Sequence, residues 1–147
     1  MNDFIQRIRN AWRRTADRVT GQHVPIQTSR APVEELESRR LRPPLVDIYE
    51  NEHELMIVAD TPGAFPDNTK LHWDDGVGLS IYVQRGEEPD GQPLWSEAPG
   101  DDWYRSFSLP DYVDAQESRA AVRAGVLTIR IPKQARPAPM SIPVTVS

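Results

Sequence analysis

The sequence predicts an all-β fold, a sandwich of two sheets, set between a partly helical N-terminal arm and an extended C-terminal tail. Two observations predict the sandwich. Between residues 44 and 132, apolar and polar residues alternate in short runs, the period of a half-buried strand. Clusters of Gly, Pro and Asp interrupt those runs, and helical spacing is nearly absent from the region. A change of pattern at each end marks off the arm (residues 1–43) and the tail (133–147) from the domain (44–132).

The arm opens on a helical stripe. Phe4, Ile8, Ala11, Trp12, Thr15 and Val19 recur at three- and four-residue steps, with Arg7, Arg9, Arg13, Arg14 and Arg18 largely off it. Gly21 is its stop. So short a helix is not secure alone, so its apolar face needs a partner. Three partners stay open: its own domain or a neighbouring subunit, apolar segments of other proteins, or a membrane surface. From residue 22 to Pro43 and Pro44 the chain is polar and proline-punctuated, with acids at Glu34, Glu35 and Glu37. It reads as a flexible linker with one helical turn.

Strands follow. Val46, Ile48 and Glu50 alternate with Asp47 and Tyr49. The run Leu55, Met56, Ile57, Val58, Ala59 is apolar on both faces, as an inner strand requires. Thr61, Pro62 and Gly63 end it. Leu71 and Trp73 share a face before a turn at residues 74–78, and Leu79, Ile81 and Val83 share the next. Residues 85–102 are a Gly/Pro/acid-rich excursion around one apolar island, Leu94 and Trp95. Trp103, Arg105, Phe107 and Leu109 make a further strand. A hairpin closes the domain: residues 120–123, a turn at Ala124 and Gly125, then Leu127, Ile129 and Ile131 on one face. The tail, with Pro137, Pro139 and Pro143, is expected to be extended and mobile.

Charge and composition exclude several functions. Residues 1–42 carry nine Arg, no Lys and five acids, a net +4, and the rest of the 147-residue chain carries −9. An acidic body with a basic arm that lacks an aromatic platform argues against nucleic acid as a partner. The absence of cysteine excludes disulfides, thiolate metal sites and a Cys nucleophile. No apolar run approaches the roughly 18 residues of a spanning helix. The N-terminus lacks the apolar core of a secretory signal, which makes the cytoplasm the expected location. His23, His53 and His72 lack metal-ligand spacing, and no Ser lies in a nucleophile elbow. Gly76 and Gly78 lack the rest of a phosphate loop. Asp74 with Asp75, and Asp101 with Asp102, are adjacent pairs that make poor acid/base partners. No catalytic residue, cofactor or metal is therefore expected.

Five segments, in order, resemble the small heat-shock protein family and its α-crystallin domain. They are Pro-Leu-Val-Asp-Ile-Tyr-Glu at 44–50, Ala-Asp-Thr-Pro-Gly at 59–63, Arg-Ser-Phe-Ser-Leu-Pro at 105–110, the Ala-x-x-x-x-Gly-Val-Leu signature at 120–127, and Ile142, Pro143 and Val144 in the tail. Thr61 stands where the family has Leu, and Ala124 where Asn or Asp is commoner. The resemblance implies an immunoglobulin-like β-sandwich and an ATP-independent holdase. Such a chaperone binds unfolding client proteins, prevents their aggregation, and passes them to ATP-driven refolding chaperones. It implies homodimers that assemble into larger oligomers. By the same resemblance, residues 93–97, with Leu94 and Trp95, would cross to a partner and pair with the strand holding Val46 and Ile48. Arg105 would join that dimer interface. The tail motif would dock between the strand at 70–74, with Leu71 and Trp73, and the strand at 118–123, with Ala120 and Val122. Phe4, Ile8, Trp12 and Val19 are the client-binding candidates. Two other readings keep their place: a dimeric adaptor similar to CS-type co-chaperone domains, and a stress protein whose Arg-rich helix binds a membrane surface.

Overall fold

The computed structural model describes residues 21–27, 36–74, 78–86, 90–97 and 100–135. Among them ten strands form two five-stranded sheets. In chain order they are β1 (Gln22–Val24), β2 (Ile26–Gln27), β3 (Leu41–Arg42), β4 (Leu45–Glu50), β5 (Glu54–Asp60), β6 (Thr69–Asp74), β7 (Gly78–Val83), β8 (Asp102–Ser108), β9 (Arg119–Arg123) and β10 (Val126–Pro132). The first sheet runs β1-β9-β10-β5-β4, and every pairing in it is antiparallel. The second runs β2-β6-β7-β8-β3, antiparallel at its centre, with β2 and β3 added parallel to β6 and β8. The architecture is the expected immunoglobulin-like sandwich.

Alternation sets the core. Leu127, Ile129 and Ile131 of β10 point inward with Leu55, Ile57 and Ala59 of β5 and Ala120 and Val122 of β9. They meet Leu71 and Trp73 of β6 and Leu79, Ile81 and Val83 of β7 across the sandwich. Each fully buried aliphatic side chain contributes about 1.5–3 kcal/mol. Met56 of β5 is also buried, on the opposite face, which fits a strand held between β10 and β4.

The turn between β9 and β10 has two residues, Ala124 at φ 48° and Gly125 at φ 75°. Two positive φ angles give the twist that joins antiparallel strands tightly. Gly125 adopts this conformation at no steric cost, and a Cβ there would meet the Pro62 Cα at 3.2 Å. Ala124 is strained, because a Cβ in the left-handed region crowds its carbonyl. Ala124→Asn is expected to stabilise the domain by about 0.5–1 kcal/mol, since Asn tolerates this region. A urea midpoint that stays put or falls would contradict this account.

The linker reading of residues 22–44 needs correction. Leu36 and Glu37 are helical, as the one expected turn requires, but β1, β2 and β3 also lie in this stretch. Strands of two or three residues are too short to show a period. Their hydrogen bonds come from the edges of β9, β6 and β8, so tertiary context creates them. The helical stripe at residues 4–19 and the tail motif at 142–144 lie outside the described residues.

Candidate functional site: two edges of the sandwich

The first edge lies between β9 and β6. Ala120, Val122, Leu71 and Trp73, which the resemblance places at a groove, are all buried and belong to one core cluster. What covers them is the chain itself. β1 lies antiparallel on β9, with Gln22 opposite Val122, His23 opposite Ala121 and Val24 opposite Ala120. After Pro25 the chain crosses to the other sheet, where Ile26 and Gln27 pair with Leu71 and His72. Val24 is fully buried and Ile26 packs against the core. The sequence reading missed this segment.

The second edge is β4, the outer strand of its sheet. Val46 packs against the core, but Leu45 is 77% exposed and Ile48 53%. An edge strand with exposed aliphatics offers both unpaired backbone groups and apolar surface to another chain. Leu94 and Trp95 are fully and 83% exposed, and residues 90–97 hold no strand in the single chain. The Trp95 indole N–H donates to Glu97 Oε1 at 3.2 Å. Arg105 is exposed on β8. Its Nη1 donates to the Pro44 carbonyl at 3.1 Å, and its guanidinium sits 5.4 Å from the centre of the Phe107 ring. Within the single chain it thus contacts a carbonyl at the entry to β4 and a ring on its own strand.

A buried carboxylate organises the base of the long loop. Asp102 opens β8 and is almost fully buried. Its Oδ2 accepts from the Tyr82 hydroxyl at 2.8 Å, and its Oδ1 from the Arg85 backbone N–H at 2.8 Å. Arg39 Nη1 approaches Oδ2 at 3.4 Å, and the Asp102 N–H donates to the Arg40 carbonyl at 2.9 Å. One carboxylate thus fastens both ends of the loop and the chain before β3. Sequence pattern does not reveal it, because its partners at residues 39, 82 and 85 lie 17 to 63 positions from residue 102.

The tail leaves the domain beside β4. The Lys133 ammonium reaches Glu50 Oε1 at 2.6 Å and lies 5.3 Å from the Tyr112 ring centre. The Lys133 and Gln134 N–H groups donate to the His53 and Tyr112 carbonyls, each at 2.7 Å. Among the described residues, no cluster of three or more His, Cys, Asp or Glu side chains could hold a metal ion. No described helix is long and apolar enough to cross a membrane.

The family model described as Hsp20/alpha crystallin family matches residues 47–146. Heat shock protein 16 of Schizosaccharomyces pombe is 26% identical over 94 residues, covering 61% of this chain and 66% of its own length. The chloroplastic heat shock 22 kDa protein of Chlamydomonas reinhardtii is 33% identical over 108 residues, 68% of either chain. Among solved structures, a small heat-shock protein from Xylella fastidiosa is 35% identical with a TM-score of 0.60, covering 71% of this chain and 98% of that one. The hspA of Xanthomonas axonopodis is 38% identical with a TM-score of 0.55, covering 63% and 94%.

Proposed function

This chain belongs to the Hsp20/alpha crystallin family, whose members are stress-response chaperones and not enzymes, and from that premise we propose that it is an ATP-independent holdase built from dimers that assemble further. The observation that carries the proposal is the β9–β6 edge. Leu71, Trp73, Ala120 and Val122 form an apolar seat for an extended segment with a central proline, and the tail carries such a segment in Ile142, Pro143 and Val144. Docking of that tail into a neighbour's seat would link dimers. A single docked tail is weak, but many in one assembly act together while each remains reversible. A second support is the exposed edge at β4, which suits strand addition by residues 93–97 of a partner, with Leu94 and Trp95 covering Ile48. The small heat-shock protein from Xylella fastidiosa, which shares this fold, is described as having a distinct high order structure.

In this reading the clients are partly unfolded proteins, held on the apolar stripe of Phe4, Ile8, Trp12 and Val19, and later handed to ATP-driven refolding chaperones. Light scattering of a heat-labile enzyme tests it. With the chain in several-fold molar excess and no nucleotide present, aggregation should be largely suppressed. Aggregation at the rate of the enzyme alone would end the holdase reading.

A further inference from the structure

The seat between β9 and β6 is occupied by a segment that matches the tail. Of the 14 prolines, Pro25 and Pro143 are the two with a β-branched aliphatic residue on each side: Val24 and Ile26, Ile142 and Val144. Val24 and Ile26 face the core while Pro25 is exposed. Residues two apart in an extended chain share a face, so Ile142 and Val144 offer the same two side chains around the same spacer. The order of Val and Ile is reversed, which keeps the total volume, the kind of exchange an apolar site accepts best.

We propose that residues 22–27 are an internal plug that competes with Ile142, Pro143 and Val144 of a second copy for the groove between β9 and β6. The proposal rests on the reading of the tail as an assembly motif. The internal plug gains from attachment to its own domain, which gives it a high effective concentration. It is held by only three residues of β1 and two of β2. Competition makes tail docking and arm release one equilibrium. The arm joins the domain at β1, so a tail that takes the groove expels β1 and β2 and leaves Leu36 as the next buried anchor among the described residues. Linkage is reciprocal: whatever holds the arm away from the domain, a bound client included, strengthens tail docking by the same factor.

Fluorescence anisotropy with a labelled synthetic peptide of residues 137–147 reads the groove directly. The receptor is the full chain with Ile142→Ala and Val144→Ala, whose own tail no longer competes. Two further pairs of changes push the plug in opposite directions. Gly21→Val with Ile26→Ser loosens it, because a Cβ on Gly21 would stand 3.0 Å from the Ala121 Cβ and 3.0 Å from the Val122 carbonyl oxygen, and Ile26 loses its apolar contact. His23→Cys with Ala121→Cys joins two residues in direct register. The chain has no other cysteine, so the disulfide locks the plug until a reductant opens it. The loosened chain should bind the peptide about tenfold more tightly than the receptor, and the oxidised locked chain about tenfold or more weakly. Reduction should restore the receptor's value. Equal affinity across receptor, loosened and locked chains overturns the competition and leaves tail docking standing. No binding to any of them overturns both. If the loosened chain does not fold, the lock and its reversal decide the matter alone.

Discussion

Asp102→Ala is expected to destabilise the domain by about 3–5 kcal/mol, the cost of breaking a buried charged network on one side only. The carboxylate accepts from the Tyr82 hydroxyl and from the Arg85 N–H, both at 2.8 Å. Alanine takes that acceptor from both donors. Tyr82 is itself buried, so water cannot easily replace the lost partner. Arg39 adds little, since its side chain is 40% exposed and solvent screens the pair at 3.4 Å. Against a typical total of about 5–15 kcal/mol, the loss would leave the domain marginal at growth temperature. Urea unfolding should show a lower midpoint with an unchanged slope. Tyr82→Phe removes the more buried of the two donors. In a double-mutant cycle it should recover part of the loss in the Asp102→Ala background. A midpoint for Asp102→Ala within about 1 kcal/mol of wild type would show that the network is not structural. The assembly consequence differs from the folding one. Asp102 fixes where the loop leaves β7 and where it re-enters at β8, so it sets the base from which Leu94 and Trp95 project.

Legibility in the sequence followed length. The seven strands of five or more residues show their alternation, and inner β5 shows itself by being apolar on both faces. The same alternation places Leu71 and Trp73 on one strand face and Ala120 and Val122 on another, but only the family resemblance joins the two faces into a groove. β1, β2 and β3 cannot, because two or three residues carry no period and only their partner edges make them strands. The signal that could have found β1 and β2 was chemical. Val24, Pro25 and Ile26 repeat the pattern of the tail, inside a stretch that otherwise reads as polar linker. Asp102 shows the other limit. A buried carboxylate is defined by its partners, and residue type alone makes Asp101 and Asp102 look alike, although Asp101 pairs with the exposed Arg40 at 3.3 Å. Arg105 shows a third. The resemblance points it toward a partner subunit, while the single chain gives it the Pro44 carbonyl and the Phe107 ring.

Ile142→Ala with Val144→Ala is expected to reduce the assembly toward the dimer while leaving the domain folded. Each truncated side chain loses most of the roughly 1.5–3 kcal/mol its burial would contribute. Two together weaken one docked tail by about 2–4 kcal/mol, or roughly 30- to 1,000-fold. Tails cooperate in an assembly, so the loss compounds over every link between dimers. Stability should not follow, because Val24 and Ile26 already close the groove of each domain from within. Light scattering coupled to size exclusion should therefore report a falling mass, and thermal unfolding by circular dichroism an unchanged midpoint. Wild-type mass would show that the tail does not link dimers. A mass drop accompanied by unfolding would show that the tail, and not residues 22–27, keeps the groove closed. Locking His23→Cys to Ala121→Cys in a chain with an intact tail should reproduce the smaller mass under oxidising conditions and recover the larger one on reduction. Only competition for one seat makes a change at residue 23 mimic a change at residue 142.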